Sequence, residues 1–116
     1  MVSLKLNFES EKEAQDMIRL IQTDKGLSVS SAIEFAVGSQ VHQSNISTGW
    51  LSIALSIWGY DNPERKWLSL ENSLVIVDME EDKFKLVQDI SKKKVSVERA
   101  VAYFLLLTMK SLGYHI

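Results

Sequence analysis

The stretch that most limits what this chain can fold into lies near its end. Val97, Ala100, Val101, Phe104, Leu105, Thr108 and Leu112 recur at helical spacing and make one apolar face. Ser96 can cap the first free amides, Glu98 falls near the positive end, Lys110 near the negative end, and Gly113 supplies a stop. Tyr103, Leu106, Leu107 and Met109 carry apolar surface nearly all round this helix. Such a helix is buried on both sides or doubles as an interface, so a homodimer or a tightly held protein partner would account for the excess. The rest of the chain must cover a rod about 25 Å long.

Upstream, Val2, Leu4, Leu6 and Phe8 alternate with Ser3, Lys5 and Asn7, the period-two pattern of a half-buried strand. Ser10 and Glu13 have the spacing of a capping box. Ala14, Met17, Ile18 and Ile21 then predict a helix that Gly26 ends. Residues 27–37 satisfy two templates. Leu27, Val29, Ile33, Phe35 and Val37 alternate along the whole run, so we read a strand. Val29, Ala32, Ile33, Ala36 and Val37 also trace a helical face, and a short echo of residues 95–103 in residues 27–35 points the same way.

Gly38 to Gly49 reads as a polar loop. Leu51, Ile53, Leu55 and Ile57 alternate as a strand, Tyr60 to Glu64 around Pro63 has turn chemistry, and Trp67, Leu68 and Leu70 form a short return strand. Leu74–Val77 is an apolar, largely β-branched run of the central-strand type. Asp78 to Lys83 reads as a charged turn, and Phe84, Val87 and Ile90 fit a strand or a short helix. The expected fold is α+β over residues 1–116 as one domain. It has an antiparallel or mixed sheet of about five strands and two helices, the C-terminal helix long and central to the core.

Composition narrows function by exclusion. A chain of 116 residues buries enough surface to fold without disulfide or metal, and it has no cysteine, hence no thiolate zinc site or thiol nucleophile. The start, Val2-Ser3-Leu4-Lys5-Leu6, does not read as a signal peptide, and the apolar tracts Leu51–Trp58 and Ala100–Leu107 fall short of the ~20 residues that span a bilayer. We therefore expect a cytoplasmic protein with no membrane contact. A net charge of −2 lacks the basic excess that gripping phosphates demands, which argues against nucleic acid.

Catalytic groups are few. His42 and His115 are the only histidines, and no serine elbow, phosphate loop or metal-ligand spacing accompanies them. We expect no catalytic residue, no metal and no cofactor. Asp78, Glu80, Glu81 and Asp82 are the densest acidic cluster, read either as a solvated turn or as a docking patch for a basic protein. Trp58, Tyr60 and Trp67 bracket the turn that holds Asp61 and Glu64, and Trp58 would point to the outer face of its strand, beneath another element or into a binding surface.

These features sketch a small non-enzymatic, protein-binding inhibitor of the bacterial immunity or antitoxin type. Its contacts with a protein such as a basic toxin would be Asp78, Glu80, Glu81, Asp82, Asp61, Glu64, Trp58, Tyr60 and Trp67. The analogy is one of type: a compact, mildly acidic protein that works by covering another needs no catalytic group. One alternative is a phage or mobile-element regulator that dimerises and touches nucleic acid through Arg65, Lys66, Lys83, Lys85 and Lys92–Lys94. Another is a small-molecule-binding or enzymatic domain with a pocket near His42.

Overall fold

A computed structural model describes residues 1–40, 47–60, 64–92 and 94–114. The elements run β1 (Val2–Asn7), α1 (Lys12–Lys25), α2 (Val29–Gly38), α3 (Thr48–Ser56), β2 (Leu74–Met79), α4 (Glu81–Ser91) and α5 (Val97–Ser111). The fold is α+β, but with a two-stranded antiparallel sheet and five helices among the described residues. The expected five-stranded sheet with two helices is wrong, and each misread segment has a local cause.

Residues 27–37 form α2. Ser28 caps it by accepting from the Ser31 amide, and Ala32, Ile33, Ala36 and Val37 are buried at helical spacing. Of the alternating set, Leu27, Val29 and Phe35 are only partly covered. Leu51–Ile57 belongs with α3, capped by Ser47, and there Leu51, Ala54, Leu55 and Trp58 face inward while Ile53 and Ile57 face water. The alternation of four branched residues was a coincidence of composition; positions i, i+3, i+4 and i+7 decided the structure.

Trp67–Leu70 makes no strand, because side chains of α1 occupy the amides of Leu68 and Leu70. Leu74–Val77 lies in a strand whose outer side is open, not in the centre of a sheet. The stretch read as a charged turn is the end of β2 followed by the cap and first turn of α4, where Glu81 and Asp82 meet the helix's positive end. The Ser10–Glu13 capping box is not made either: α1 starts from Glu11 without a side-chain cap.

Three other expectations hold at residue level. Gly26 ends α1 in the left-handed conformation. Ser96 caps α5 by accepting from Arg99 N–H, and Gly113 at φ +92 closes it in a Schellman motif, with Tyr114 N–H on the Met109 carbonyl and Gly113 N–H on that of Lys110.

α5 packs against α1, α2, α3 and α4 and touches β1. Its run from Ala100 to Leu106 is buried without a break. Four helices of the same chain cover this apolar surface, so α5 supplies no ground for an interface. The sheet lies over this core with Leu4, Leu6, Val75, Val77 and Met79 turned inward, and Phe8, just past β1, is fully buried.

Candidate functional site

Two neighbouring places carry the unusual chemistry. The first is internal. Gln15 and Asp16 sit on the buried face of α1 and hold the irregular segment after α3. Gln15 donates to the Phe8 carbonyl and accepts from Leu70 N–H at 3.0 Å. Asp16, fully enclosed, accepts from Trp58 Nε1 at 2.8 Å, from Leu68 N–H at 2.9 Å and from both terminal nitrogens of Arg65. Burial alone would push the Asp16 carboxyl up; the hydrogen bonds from Arg65, Leu68 and Trp58 outweigh it and hold the group below the ordinary carboxylate range. Its own hydrogen bonds to Asp16 raise Arg65 above its usual value. This is a structural clamp in which four donor atoms converge on one carboxylate.

The clamp fixes Trp58, and so fixes which face of α3 looks outward. Gly59 follows at φ +79, with Trp67 packed so closely that a Cβ there would sit 3.0 Å from its ring. The outward face of α3 is the second place. Trp50, Ile53 and Ile57 stand one above another at i, i+3 and i+7, with Tyr60 beyond them. Ile53 is 66% and Tyr60 78% exposed. Thr48–Ser56 contains no charged residue, and the one charge recorded against this face among the described residues is Lys110 Nζ, 5.0 Å from the Trp50 ring centroid.

The residues singled out from the sequence divide accordingly. Trp58 is interior and bonded to Asp16, so its ring forms no outer surface. Trp67 is half-buried and lines an open cleft of about 560 Å³ with Glu9, Lys12, Glu13 and Leu68. Tyr60 and Glu64 are exposed, and Asp61 lies outside the described residues. Asp78 accepts a hydrogen bond from Ser3 Oγ on the outer face of the sheet, and Glu80, Glu81 and Asp82 stand exposed at the start of α4. α3 and α4 both pack on α5 but make no substantial contact with each other. The aromatic and acidic residues therefore form two patches, not one.

Of the basic set, Arg65 is committed to Asp16, Lys83 lies partly buried beside Gly38, and Lys66, Lys85, Lys92 and Lys94 are exposed. Lys93, His42 and His115 lie outside the described residues. Among the described residues no three His, Asp or Glu side chains gather as a metal site would need, and no helix is long and apolar enough to cross a membrane.

Sequence reasoning missed Gln15 and Asp16, although two polar residues amid Ala14, Met17 and Ile18 are a signal in themselves. It also missed Ile53 and Ile57 as surface residues, because a strand reading places them in the core. No known protein family, curated protein or solved structure matches this chain significantly.

Proposed function

We propose that this chain acts in the cytoplasm by binding another protein through the outer face of α3, as a small non-enzymatic inhibitor of the immunity or antitoxin type does. One observation carries the reading: a peripheral helix without any charge turns Trp50, Ile53 and Ile57, continued by Tyr60, toward water. These side chains expose on the order of 400 Å² of mostly apolar surface, the scale at which patches on soluble proteins become functional. That is about half of the ~800 Å² that each partner contributes to a standard interface. Trp and Tyr are also the residues most often found at the energetic centre of such contacts.

The acidic residues have a second part in this reading. Glu80, Glu81 and Asp82 lie apart from α3, so they would steer a basic partner through the long-range field while α3 supplies the burial that slows dissociation. The test is a pair of variants, Ile53→Lys and Ile57→Lys, which place charge on the exposed face without touching the core. A protein held by the parent chain should be released by both, and its inhibited activity should return. Full retention and inhibition by both variants would sink the proposal.

A further inference from the structure

The two edges of the sheet are finished differently, and the difference can be read atom by atom. The register pairs Val2 with Met79, Leu4 with Val77 and Leu6 with Val75, and the Phe8 amide donates to the Ser73 carbonyl at 2.9 Å. That bond sets the phase of the ladder. Hydrogen-bonded pairs alternate, so Val75, Val77 and Met79 turn their amides and carbonyls toward β1, while Leu74, Ile76 and Asp78 turn theirs away from it. On β1 the outward set is Ser3, Lys5 and Asn7. Asn7 N–H donates to Glu98 Oε2 at 2.9 Å, as this phase requires.

β1 is thus a guarded edge: Glu98 of α5 closes one end, and Lys5 at its middle discourages pairing with another strand. β2 is closed only at its start and has no charged residue at its middle. Asn72 Oδ1 accepts from the Leu74 amide, and the outward groups of Ile76 and Asp78 have no recorded partner among the described residues. Its outer side chains, Leu74 and Ile76, are apolar and each 63% exposed. Along this edge runs a groove of about 520 Å³, walled by Leu74, Val75 and Ile76 and by Arg19, Ser28 and Val29. An apolar strand edge with open backbone groups at its middle is the surface that accepts another strand.

We propose that this occupant is β2 of a second copy of the chain, paired antiparallel across a twofold axis with Ile76 opposite Ile76 of the second copy. The product is a four-stranded sheet ordered β1-β2-β2-β1. An isologous contact needs a self-complementary surface, and charge supplies the complementarity. In this register Asp78 of the second copy falls opposite Leu74. At that end stands Arg19, one turn after Gln15, which holds the Leu70 amide. Arg19 is exposed, and its only recorded side-chain partner among the described residues is Gln22 at 3.4 Å. Glu71 lines the same end of the groove without an ion pair to it. Within one chain Asp78 lies four residues along β2 from Leu74, roughly 13 Å away, so the meeting of Arg19 with Asp78 belongs to the pair of copies. On the outer face the two Ile76 side chains then cover one another, and Leu74 of each copy lies diagonal to Ile76 of the other. The contact uses a surface separate from α3.

The experiment is sedimentation of the full chain at high micromolar concentration, with hydrogen exchange of the β2 amides. A dimer is expected, with the amides of Ile76 and Asp78 slowing as concentration rises. Ile76→Pro removes an amide that points away from β1, and Ile76→Lys adds charge on the outer face. Both should weaken association by roughly tenfold or more, whereas Lys5→Pro at the opposite edge should leave it unchanged. Arg19→Asp should weaken it, and adding Asp78→Arg in the same chain should restore it. A parent chain that stays monomeric overturns the proposal, as does a dimer that survives both Ile76 variants or one that Lys5→Pro disrupts equally. Failure of the α3 variants to affect partner binding would leave this result untouched, so the two proposals fail separately.

Discussion

α5 carries Glu98 and Arg99 in its first turn and Lys110 in its last, and it buries nine of its fifteen residues. α3 carries no charge at all, and yet it leaves Trp50, Ile53 and Ile57 in water. Place in the packing explains the first helix and not the second. α5 is enclosed by four helices, so its charges are confined to the ends, where they meet solvent and complement the dipole. α3 lies at the rim, where an outer face ordinarily carries Lys, Glu or Arg. An apolar all-round helix is therefore uninformative about partners when it is central, and informative when it is peripheral.

The sharpest way to break this comparison is to truncate one apolar residue on each helix. Phe104→Ala in α5 removes a fully buried ring and should cost roughly 3–5 kcal/mol of stability in urea unfolding. Ile53→Ala in α3 should change it by no more than about 0.5 kcal/mol. Comparable losses at the two sites would show that α3 is as enclosed as α5, and the proposed contact face would go with that result.

The next effect concerns what aims α3. Asp16→Ala leaves the Trp58 indole N–H, the Leu68 amide and the Arg65 guanidinium without their acceptor. The expected loss is about 3 kcal/mol, toward the low end for a broken buried pair, because the Arg65 side chain keeps 27% of its surface in water. The sign with pH follows from the depressed carboxyl. Its contribution is present above the unfolded value of 3.8 and is lost as pH falls through the lower folded value. The parent chain should lose this portion of stability on acidification, and the variant should not. A pH profile identical in both proteins would mean that the clamp is not ionic.

How much of this was legible beforehand depends on whether a segment obeyed one template or two. β1, with alternation alone, and α5, with helical spacing plus Ser96 and Gly113, were readable because no rival pattern fitted them. Residues 27–37 and 51–57 fitted both periods, and branched residues at every second position favoured strand. The deciding evidence was small: Ala32, Ala36 and Ala54 at helical spacing, and Ser28 and Ser47 as caps. The Asp16 clamp was illegible in a stronger sense, since it joins residues 42 to 52 positions apart through an irregular segment. The acidic cluster was found as a cluster but not as a helix start, because nothing in Asp78–Asp82 itself marks where a strand ends.

That helix start supplies a smaller effect. Replacing Glu80, Glu81 and Asp82 by lysine puts positive charge against the positive end of α4, which a solvated turn would tolerate without loss. The triple variant should lose on the order of 1 kcal/mol at low ionic strength, and less in salt. Unchanged thermal stability at low salt would contradict the placement of these residues on α4. Under the α3 reading the variant should slow association with a basic partner while leaving dissociation nearly unchanged, whereas Ile53→Lys should act mainly on dissociation.

The smallest effect lies where α1 meets the first turn of α5. Glu11 is buried with Oε2 unpartnered, and Arg99 Nε reaches Oε1 at 3.4 Å. Burial pushes its carboxyl up; Arg99 pulls it down, Glu13 and Glu98 push it further up, and the net shift is upward. The folded chain therefore holds this proton more tightly than the unfolded one. The associated stability is complete below the unfolded value of 4.5 and is lost as pH rises through the raised folded value. Glu11→Gln removes the charge while keeping the shape. It should stabilise the protein at neutral pH by less than about 1 kcal/mol, and this advantage should disappear in acid. A destabilised Glu11→Gln at neutral pH would mean that attraction to Arg99 outweighs burial. The charged first turn of α5 would then be part of what holds the central helix in place, and the contrast with uncharged α3 would extend from their faces to their ends.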